Sequence, residues 1–359
     1  MFQYILRRLI LTIPVLLGIL IVTFMLARLI PGDPCRAMLG EKATEQVCEI
    51  FRKNYGLDKP LLVQLVVYMQ KILSGDFGLS IRYSRPVSQI LIERLPMTIE
   101  LGFAALVIAV LVGIPAGIIA AVKRNSALDV ATMIGANVGV SMPVYWLGLI
   151  LMYIFALLLK GTPFWLPPSG RLTAGLDPTP FYTVFGWVLQ KGTPSFQTVD
   201  FFSNFYIFNS IITGNWEVLA DALKHLILPA LALSTIPLAI IARMTRSAML
   251  EVLKQDYVRT AKAKGLKERL VILKHAFRNA LLPISTIIGL EIGTLFAGAV
   301  LTESIFGLAG VGRILFDAIT ARDFPIIQAF TIVIAAFYVL INLIVDISYV
   351  FIDPRIRLN

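Results

Sequence analysis

The sequence predicts an all-α polytopic membrane protein with six transmembrane helices. Of its 359 residues, 57% are hydrophobic and only 15% are charged, whereas soluble proteins are about 45–50% apolar. Runs of about 20 mostly apolar residues also recur along the chain, and this is the length that a helix needs to cross a bilayer. Together these observations argue against an ordinary soluble globular protein.

Six runs have the length of a membrane span, and five of them carry no charged residue. They are Leu9–Ala27, Leu101–Val122, Val130–Leu159, Leu226–Ala242, Asn279–Thr302 and Phe324–Val345. The first run is longer than the 7–15 residues of a signal-peptide core, so we predict an uncleaved span there. The fifth run is interrupted only by Glu291.

The positions of Lys and Arg predict the orientation, because these residues accumulate in cytoplasmic loops. Basic residues precede the first span, follow the second and fourth, and follow the sixth, for example Arg7, Lys123 and Arg355. All of these positions fall on one side if both termini are cytoplasmic. The net charge of +10 is then a consequence of topology, and we expect no nucleic-acid partner.

This topology divides the chain into four parts. Residues 1–30 hold the cytoplasmic N-terminal end and the first span, residues 31–95 form an extracytoplasmic cap loop, residues 96–350 form a core of five spans, and residues 351–359 form a cytoplasmic tail. The core includes an extracytoplasmic loop at 160–225 and a cytoplasmic loop at 247–281. Within the cap loop, Pro60 predicts the start of a helix over Leu61–Leu73.

Cys35 and Cys48 both lie in the cap loop. A disulfide between them is possible outside the cytoplasm, and two unpaired thiols fit the sequence equally well, since spacing alone does not bring their Cα atoms together. His225 and His275 are far from both cysteines in sequence, so we expect no metal site.

A basic stretch from Arg243 to Arg278, called the basic module below, separates the fourth and fifth predicted spans. It contains ten Lys or Arg and three acidic residues. Gly265 divides it and suits the left-handed position that ends a helix, so the pattern predicts a helix, a break and a second helix. The first apolar stripe is Met249, Leu250, Leu253, Tyr257 and Ala261, and the second is Leu266, Leu270, Leu273, Phe277 and Leu281.

Two interpretations of the basic module remain open at this point. An amphipathic helix pair with many cations can lie on the anionic headgroups of membrane lipid. Alternatively, a compact charged module between spans can be the docking surface for a soluble partner, since its cations offer charge-assisted contacts to acidic groups.

Two places inside the predicted spans are candidates for a translocation path. Glu291 lies in the middle of a span, where a carboxyl is a functional candidate, although a helix–helix hydrogen bond or a neutral acid would also explain it. Pro143 predicts a kink in the third span. The residues beside that kink, Ser141, Met142 and Tyr145, are therefore weaker candidates for lining the path.

No motif predicts catalysis. The phosphate-binding pattern G-x-x-x-x-G-K-[ST] and the zinc motif H-E-x-x-H do not occur, and neither does G-x-S-x-G. We therefore expect a chain that is not itself an enzyme. A proton-coupled secondary carrier is an alternative, but carriers of that class usually contain more ionisable groups within the membrane.

The segment Arg259-Thr-Ala-Lys-Ala-Lys-Gly265-Leu266, followed by His275-Ala-Phe-Arg-Asn-Ala-Leu-Leu-Pro283, resembles the EAA loop of ABC-importer permeases. It is more closely similar to the first permease of the dipeptide, oligopeptide and nickel group. Further motifs of that group recur in order: Leu6-Arg-Arg8, Pro31-Gly-Asp-Pro34, Gly56-Leu-Asp-Lys-Pro60, Gly75-Asp-Phe-Gly78, Leu95-Pro-Met-Thr-Ile-Glu100, Gly113-Ile-Pro115, His225-Leu-Ile-Leu-Pro229, Arg243-Met-Thr-Arg-Ser247 and Asp353-Pro-Arg355.

The resemblance covers nearly the whole chain, with two departures from the general pattern. The positions named for Glu-Ala-Ala read Arg259-Thr260-Ala261 here, and the gap from Gly265 to Pro283 is longer. Both departures are usual in the peptide branch.

The resemblance implies a permease of the type I ABC importer fold in a prokaryotic cytoplasmic (inner) membrane. The implied partners are a second homologous permease, two cytoplasmic ATPases and an extracytoplasmic substrate-binding protein. ATP and magnesium would be bound by the ATPases, with no cofactor in this chain. Peptides are the expected substrate, and nickel, glutathione and oligosaccharide importers share the scaffold.

The resemblance also implies that the middle of the basic module is a coupling helix seated in a groove of an ATPase. Its residues are Tyr257, Arg259, Thr260, Ala261, Lys262, Ala263, Lys264, Gly265 and Leu266. Within it we expect Tyr257 and Ala261 to form the buried contact with the partner, and Arg259 and Lys262 to lie at the rim.

Overall fold

The computed structural model describes residues 2–29, 35–36, 43–54 and 56–352, and the regular secondary structure in this part is helical. An isolated β-bridge joins Leu79 and Pro86. The motif at 31–34 and residues 353–359 of the predicted tail lie outside the described residues.

The helices are α1 (Phe2–Leu29), α2 (Glu45–Asn54), α3 (Leu61–Leu73), α4 (Val87–Val122), α5 (Ala127–Ser141), α6 (Val144–Met152), α7 (Phe181–Val184), α8 (Pro194–Ser203), α9 (Tyr206–Thr213), α10 (Trp216–Val252), α11 (Asp256–Ala263), α12 (Glu268–Leu270), α13 (Arg278–Ile305), α14 (Val311–Ala321) and α15 (Phe324–Ile352). Two π-helical segments extend this set. Tyr153–Leu158 continues α6, and Val271–Phe277 joins α12 to α13.

Within the described residues, four helical stretches are long and apolar enough to cross a membrane. They are Val87–Val122, Trp216–Val252, Glu268–Phe296 and Phe324–Val345. The pair α5 and α6 adds a fifth if it counts as one broken span, and α1 contributes the shorter apolar stretch Leu9–Met25. The chain is therefore an all-helical protein with four to five candidate spans.

The third predicted span is not one continuous helix. Its halves, Ala127–Ser141 and Val144–Leu158, are bent by 102°. Proline has no N–H to donate and disfavours the helical conformation of the residue before it; Met142 is accordingly extended, with φ −81° and ψ 126°. The sequence predicts a kink at Pro143, and the structure instead ends one helix and begins another there.

The long helix α10 lies at the centre of the bundle. Its apolar window is 67% buried, compared with 22–39% for the other three candidate spans. It packs closely on α4, because a Cβ at Gly117 would lie 2.6 Å from Cβ of Thr245, and the glycine removes that obstacle. Leu228 and Leu233 of α10 belong to a core that also contains Leu101 and Leu295.

The helices α1 and α15 pack together at the periphery. Gln328 of α15 donates its side-chain amide to the carbonyl of Thr23 in α1, at 3.4 Å. Large apolar side chains on the outer surfaces of both helices are exposed, including Val22 and Leu340. These two helices therefore present a continuous apolar surface on one side of the bundle.

Residues 160–225 fold into a compact unit around aromatic side chains. The ring of Phe181 meets those of Trp187 and Phe208 edge-on, with centroids 5.8 and 6.3 Å apart. The hydroxyl of Tyr182 donates to Asp200 Oδ1 at 3.2 Å. Burial raises the pKa of the Asp200 carboxyl, and this hydrogen bond partly offsets the increase.

The cap segment contains α2 and α3. Cys35 and Cys48 are joined by a disulfide, with their Cα atoms 5.3 Å apart. The helix predicted over Leu61–Leu73 is present with those bounds, and Pro60 precedes it as its N-cap residue.

Candidate functional site

The basic module folds as a short exposed helix between two breaks. Helix α11 begins after Gln255, which is extended with φ −71° and ψ 148°. It ends at Ala263, and the turn that follows reaches Gly265, whose φ is +71° and whose N–H donates to the Lys262 carbonyl at 2.9 Å. Glycine reaches this left-handed region without the steric cost that a side chain brings. The predicted helix and its glycine end are therefore present.

One face of α11 is covered within the chain. Val258 and Ala261 are buried and pack with Val271 of the following π-helical segment. This corrects the expectation that Ala261 forms the buried contact with a partner, because its methyl group is already covered. Burial of small apolar side chains on this face holds α11 in place by the hydrophobic effect.

The other face of α11 is exposed. Its exposed residues are Tyr257, Arg259, Thr260, Lys262, Ala263, Lys264, Gly265 and Leu266. The Tyr257 ring is 43% exposed, and its hydroxyl accepts a hydrogen bond from the Asn279 side chain at 3.0 Å, so the ring has a fixed neighbour. A Cβ on Gly265 would meet no atom within 4 Å, so the glycine lies on open surface.

The cations on this exposed face have little internal compensation. Arg259 Nη1 lies 3.3 Å from Asp256 Oδ1, and these two side chains are 75% and 94% exposed. Exposed ion pairs of this kind contribute little to stability. The face is therefore a cationic surface that the fold of this chain does not require.

The second predicted stripe of the basic module is not a buried face. Leu266, Leu270 and Leu273 are 38%, 42% and 45% exposed. Burial in this region falls instead on Val271, Ala276 and Ala280. From Leu273 onward, the π-helical segment Val271–Phe277 shifts the residue spacing away from the 3.6-residue period that the stripe assumed.

Beneath α11, the module rests on the ends of three long helices. A buried cluster joins Ala121 of α4, Met249 of α10 and Ile284 of α13, together with Ala276 of the π-helical segment. Val252 and Leu253 pack against both this cluster and the cluster of Val258, Ala261 and Val271, so apolar contacts connect α11 indirectly to the three helix ends.

A partly buried ion pair at the same end of the bundle was not recognised in the sequence. Arg246 of α10 contacts both carboxylate oxygens of Asp129 in α5, at 2.6 and 2.7 Å. Asp129 also accepts from the Asn125 N–H at 3.0 Å, and its own N–H donates to the Ser126 hydroxyl. The signal that could have revealed Asp129 is the Ser-x-x-Asp spacing typical of a helix N-terminus.

The candidate path residues fall in two different environments. Ser141 and Tyr145 are exposed beside the 102° bend, and Met142 between them is partly buried. Glu291 is buried in α13, where it accepts a hydrogen bond from the Thr294 hydroxyl at 2.8 Å. Helix α6, which begins at the bend, packs against α13, while the Thr294 hydroxyl that bonds to Glu291 belongs to the same helix as Glu291.

A second buried carboxylate lies at the end of the bundle opposite the basic module. Glu303 is fully buried and accepts hydrogen bonds from the Thr98 hydroxyl at 2.6 Å and the Arg313 N–H at 3.0 Å. Thr98 accepts in turn from the Val311 N–H at 2.9 Å. These groups, called the Glu303 clasp below, tie α4 and α13 to the first turn of α14.

The Glu303 clasp explains a glycine in the sequence that follows it. A Cβ on Gly312 would lie 3.0 Å from Glu303 Oε2 and closer still to the backbone of Val300. An acid directly after an apolar run, followed by the spacing Gly310-Val-Gly312, was the available signal. The burial of Glu303 was not predicted from the sequence, because an acid at the end of a span usually faces water.

Within the described residues, no group of three or more His, Cys, Asp or Glu side chains is arranged to hold a metal ion.

Comparison with known proteins agrees with this geometry. Residues 113–358 match the family described as "Binding-protein-dependent transport system inner membrane component". Residues 1–102 match the N-terminal family of the same membrane components. The chain belongs to this family. A basic helix exposed at one end of an apolar bundle is thus a feature of an inner-membrane transport component.

Full-length relatives of this membrane component carry the names of permeases. It is 45% identical over 357 residues to the dipeptide transport system permease protein DppB of Alkalihalophilus pseudofirmus, covering 99% of this chain and 100% of the relative. It is 43% identical to the di/tripeptide transport system permease protein DppB of Pseudomonas aeruginosa and to the dipeptide transport system permease protein DppB of Escherichia coli K12, with 99% of each chain covered.

Proposed function

We propose that this chain forms half of the translocation pore of an ATP-binding-cassette importer for di- or oligopeptides, which an extracytoplasmic binding protein delivers. The observation that carries the proposal is the exposed cationic face of α11, in a chain that is 43–45% identical over its full length to permeases named for dipeptides. A surface that contributes little to the fold is free to serve a partner.

The proposed topology has six transmembrane helices of the type I importer fold, with both termini in the cytoplasm. It is supported by the basic residues that cluster at one end of the bundle, and by α1, whose apolar stretch supplements the other candidate spans. In this topology the cap loop at 31–95 and the loop at 160–225 are extracytoplasmic, and the loop at 247–281 is cytoplasmic.

The proposed partners are a second homologous permease, two ATPases that bind ATP and magnesium, and a binding protein. In this assembly residues 257–266 are the coupling helix, and the chain itself does not hydrolyse ATP. The structure favours Tyr257, Arg259 and Lys262 as its partner-facing residues, because they are exposed and Ala261 is covered internally.

The proposed path passes between the two permeases, beside the bend at Pro143. Ser141 and Tyr145 support this placement, because they are exposed in the single chain although they lie in an apolar, membrane-length stretch. Met142 lies between them. Glu291 has less support as a path residue, because it is buried and hydrogen-bonded to Thr294 within its own helix.

The test is uptake of a labelled dipeptide by cells whose copy of this chain has been deleted and then restored. We expect uptake only with the restored chain, and we expect it to continue when an uncoupler removes the proton gradient while ATP is held high. Uptake that collapses under the uncoupler would instead indicate a proton-coupled carrier. Competition by nickel, glutathione or an oligosaccharide, with no competition by unlabelled dipeptide, would contradict the peptide assignment.

A further inference from the structure

Helix α3 in the cap segment buries a polar side chain and exposes apolar ones, whereas a water-exposed helix usually does the reverse. Its single buried residue is the polar Gln64, whose amide donates to the carbonyls of Leu57 and Lys59 at 3.2 and 2.7 Å. Its large apolar side chains point outward, and Leu62 and Leu73 are 77% and 83% exposed. An apolar surface of this kind marks a site that another apolar phase covers.

This exposed surface is continuous with the outer apolar side of the bundle. The Tyr68 ring of α3 packs on the Phe24 ring of α1, with centroids 5.6 Å apart. Helix α1 in turn packs against α15, and the outer surfaces of both helices expose large apolar side chains. Helix α3 therefore lies across the ends of two helices whose outer faces suit the hydrocarbon of a bilayer.

A cavity of about 180 Å³ lies between α3, the neighbouring loops and the start of α15. Its polar lining includes Lys59, Gln64, Tyr68, Lys71, Asp76 and Gln328. This volume exceeds what a few water molecules fill. Asp76 is the acidic group of this lining, and its Oδ1 accepts from the Gly78 N–H at 2.9 Å, so this carboxylate oxygen has a partner in its own turn.

We propose that α3 lies in the headgroup region of the bilayer and that this cavity binds the phosphate of a phospholipid between Lys59 and Lys71. In the proposed topology, the leaflet that α3 contacts is the outer one. The lipid contact itself does not depend on the transport function. Apolar side chains on α3 enter the acyl boundary, as in helices that lie on membranes. The two ammonium groups give charge-assisted contacts to the phosphate oxygens.

A protein partner could also cover α3, and the structure favours lipid for two reasons. The apolar surface is contiguous with the sides of α1 and α15, which a bilayer must cover if these helices span it. Lys59 and Lys71 line the cavity, and cations near a membrane surface attract anionic lipid.

The first experiment measures where α3 lies, without altering the cavity. A nitroxide is attached at Leu62→Cys in the full chain reconstituted in vesicles of phosphatidylcholine and phosphatidylglycerol. We expect high collision rates with oxygen and low rates with an aqueous nickel chelate. A label at Lys191→Cys, on an exposed residue of the 160–225 loop, is the control and should show the opposite. Nickel access at Leu62 equal to that at Lys191 would overturn the proposal, and so would exclusion that appears only when a soluble binding protein is added.

The second experiment measures the lipid itself by native mass spectrometry of the full chain released from the same vesicles. The double variant Lys59→Gln, Lys71→Gln should retain phosphatidylglycerol roughly tenfold or more weakly, the loss expected when two membrane-adjacent cations are removed. The matched control Lys53→Gln, Lys160→Gln alters two exposed lysines outside the cavity lining and should retain it. Equal retention by both double variants would overturn the assignment of the two lysines. Free inorganic phosphate should not displace the lipid, because it lacks the acyl chains.

Discussion

The exposed cations of α11 and the buried carboxylates of Glu303 and Asp323, which lie at opposite ends of the helical bundle, use charge in opposite ways. At the basic end, Arg259 and Lys262 are exposed and the ion pair to Asp256 is open to solvent. At the opposite end, Glu303 and Asp323 are almost fully buried, and each accepts hydrogen bonds from a hydroxyl and a backbone N–H. Buried carboxylates with donors maintain the fold, whereas exposed cations that nothing in the chain requires remain available to a partner.

The same contrast appears in how loops are held. At the carboxylate end, Asp323 accepts from the Ser80 hydroxyl at 2.6 Å and the Arg82 N–H at 3.1 Å, which connects the cap segment to the start of α15. At the basic end, α11 is held mainly by apolar contacts of Val258 and Ala261. The loop at the carboxylate end is held by directional hydrogen bonds, whereas α11 is held by a small packed apolar face. Substitutions in these two regions should therefore differ in their effects on stability.

The largest loss of stability is expected at the Glu303 clasp. Changing Glu303→Ala leaves the Thr98 hydroxyl and buried N–H groups without an acceptor and opens a cavity, which we expect to cost about 3 kcal/mol or more. Thermal unfolding of the purified chain measures this loss. The change Glu303→Gln keeps an acceptor oxygen and should cost less.

The control for Glu303 is Glu217→Ala, which removes an exposed carboxylate from the first turn of α10. If the unfolding temperatures of the Glu303→Ala and Glu217→Ala chains were the same, the clasp would have no structural role.

The next-largest loss of stability is expected at the partly buried ion pair of Arg246 and Asp129. Either Arg246→Gln or Asp129→Asn should lower the unfolding temperature, and the double change should cost little more than one single change, because the two groups form one interaction. The matched pair is Arg259 and Asp256, which is exposed, and its double-mutant cycle should give almost no coupling. Equal coupling in the two cycles would contradict the contrast between buried and exposed charge.

A change at Gly265 should separate stability from transport. Because φ is +71° and the surrounding space is open, we expect Gly265→Arg to cost only about 1–2 kcal/mol of stability. The chain should still insert, but the added side chain should obstruct the partner contact and abolish ATP-dependent uptake. Gly265→Asn is the control, since Asn tolerates the left-handed region, and it should retain more uptake. Normal uptake with Gly265→Arg would refute the proposed coupling role.

The smallest effect on stability is expected from the exposed cations of α11. The triple change Arg259→Gln, Lys262→Gln, Lys264→Gln should alter unfolding by no more than about 0.5 kcal/mol, as is usual at exposed positions. It should nevertheless reduce uptake, and the remaining uptake should be less sensitive to salt, because fewer charge interactions are left to screen. The control Lys53→Gln, Lys160→Gln, Lys191→Gln removes three exposed cations outside the basic module. If the two triple variants lost uptake equally, the specific role of α11 would be disproved.

Patterns of single residues were enough to predict much of the fold. Five of the six predicted apolar runs lie within helices, the run Val130–Leu159 is divided at Pro143, and the helix Leu61–Leu73 has its predicted bounds. The break at Gly265 was also predictable, because a glycine after a basic helical pattern signals a left-handed end. These features depend on local periodicity and on the conformational limits of Gly and Pro.

The pairings between distant residues were not predictable in the same way. Asp129 and Arg246 are 117 positions apart, and Thr98 and Glu303 are 205 apart. Nothing in local spacing indicates that these side chains meet. Similarly, the sequence predicted residues 160–225 only as an extracytoplasmic loop, whereas contacts among their aromatic rings make them a folded unit.

By itself the sequence determined the membrane class, the approximate positions of the apolar helices and the basic helix ended by glycine, because hydrophobic length, charge and backbone freedom are local properties. Only the tertiary structure decided that Ala261 faces inward, that the third apolar run bends by 102°, and that Glu303 and Asp323 are buried at the end of the bundle opposite the exposed cations of α11. Those outcomes depend on which surfaces come together, and a side chain is buried or exposed only with respect to neighbours that folding supplies.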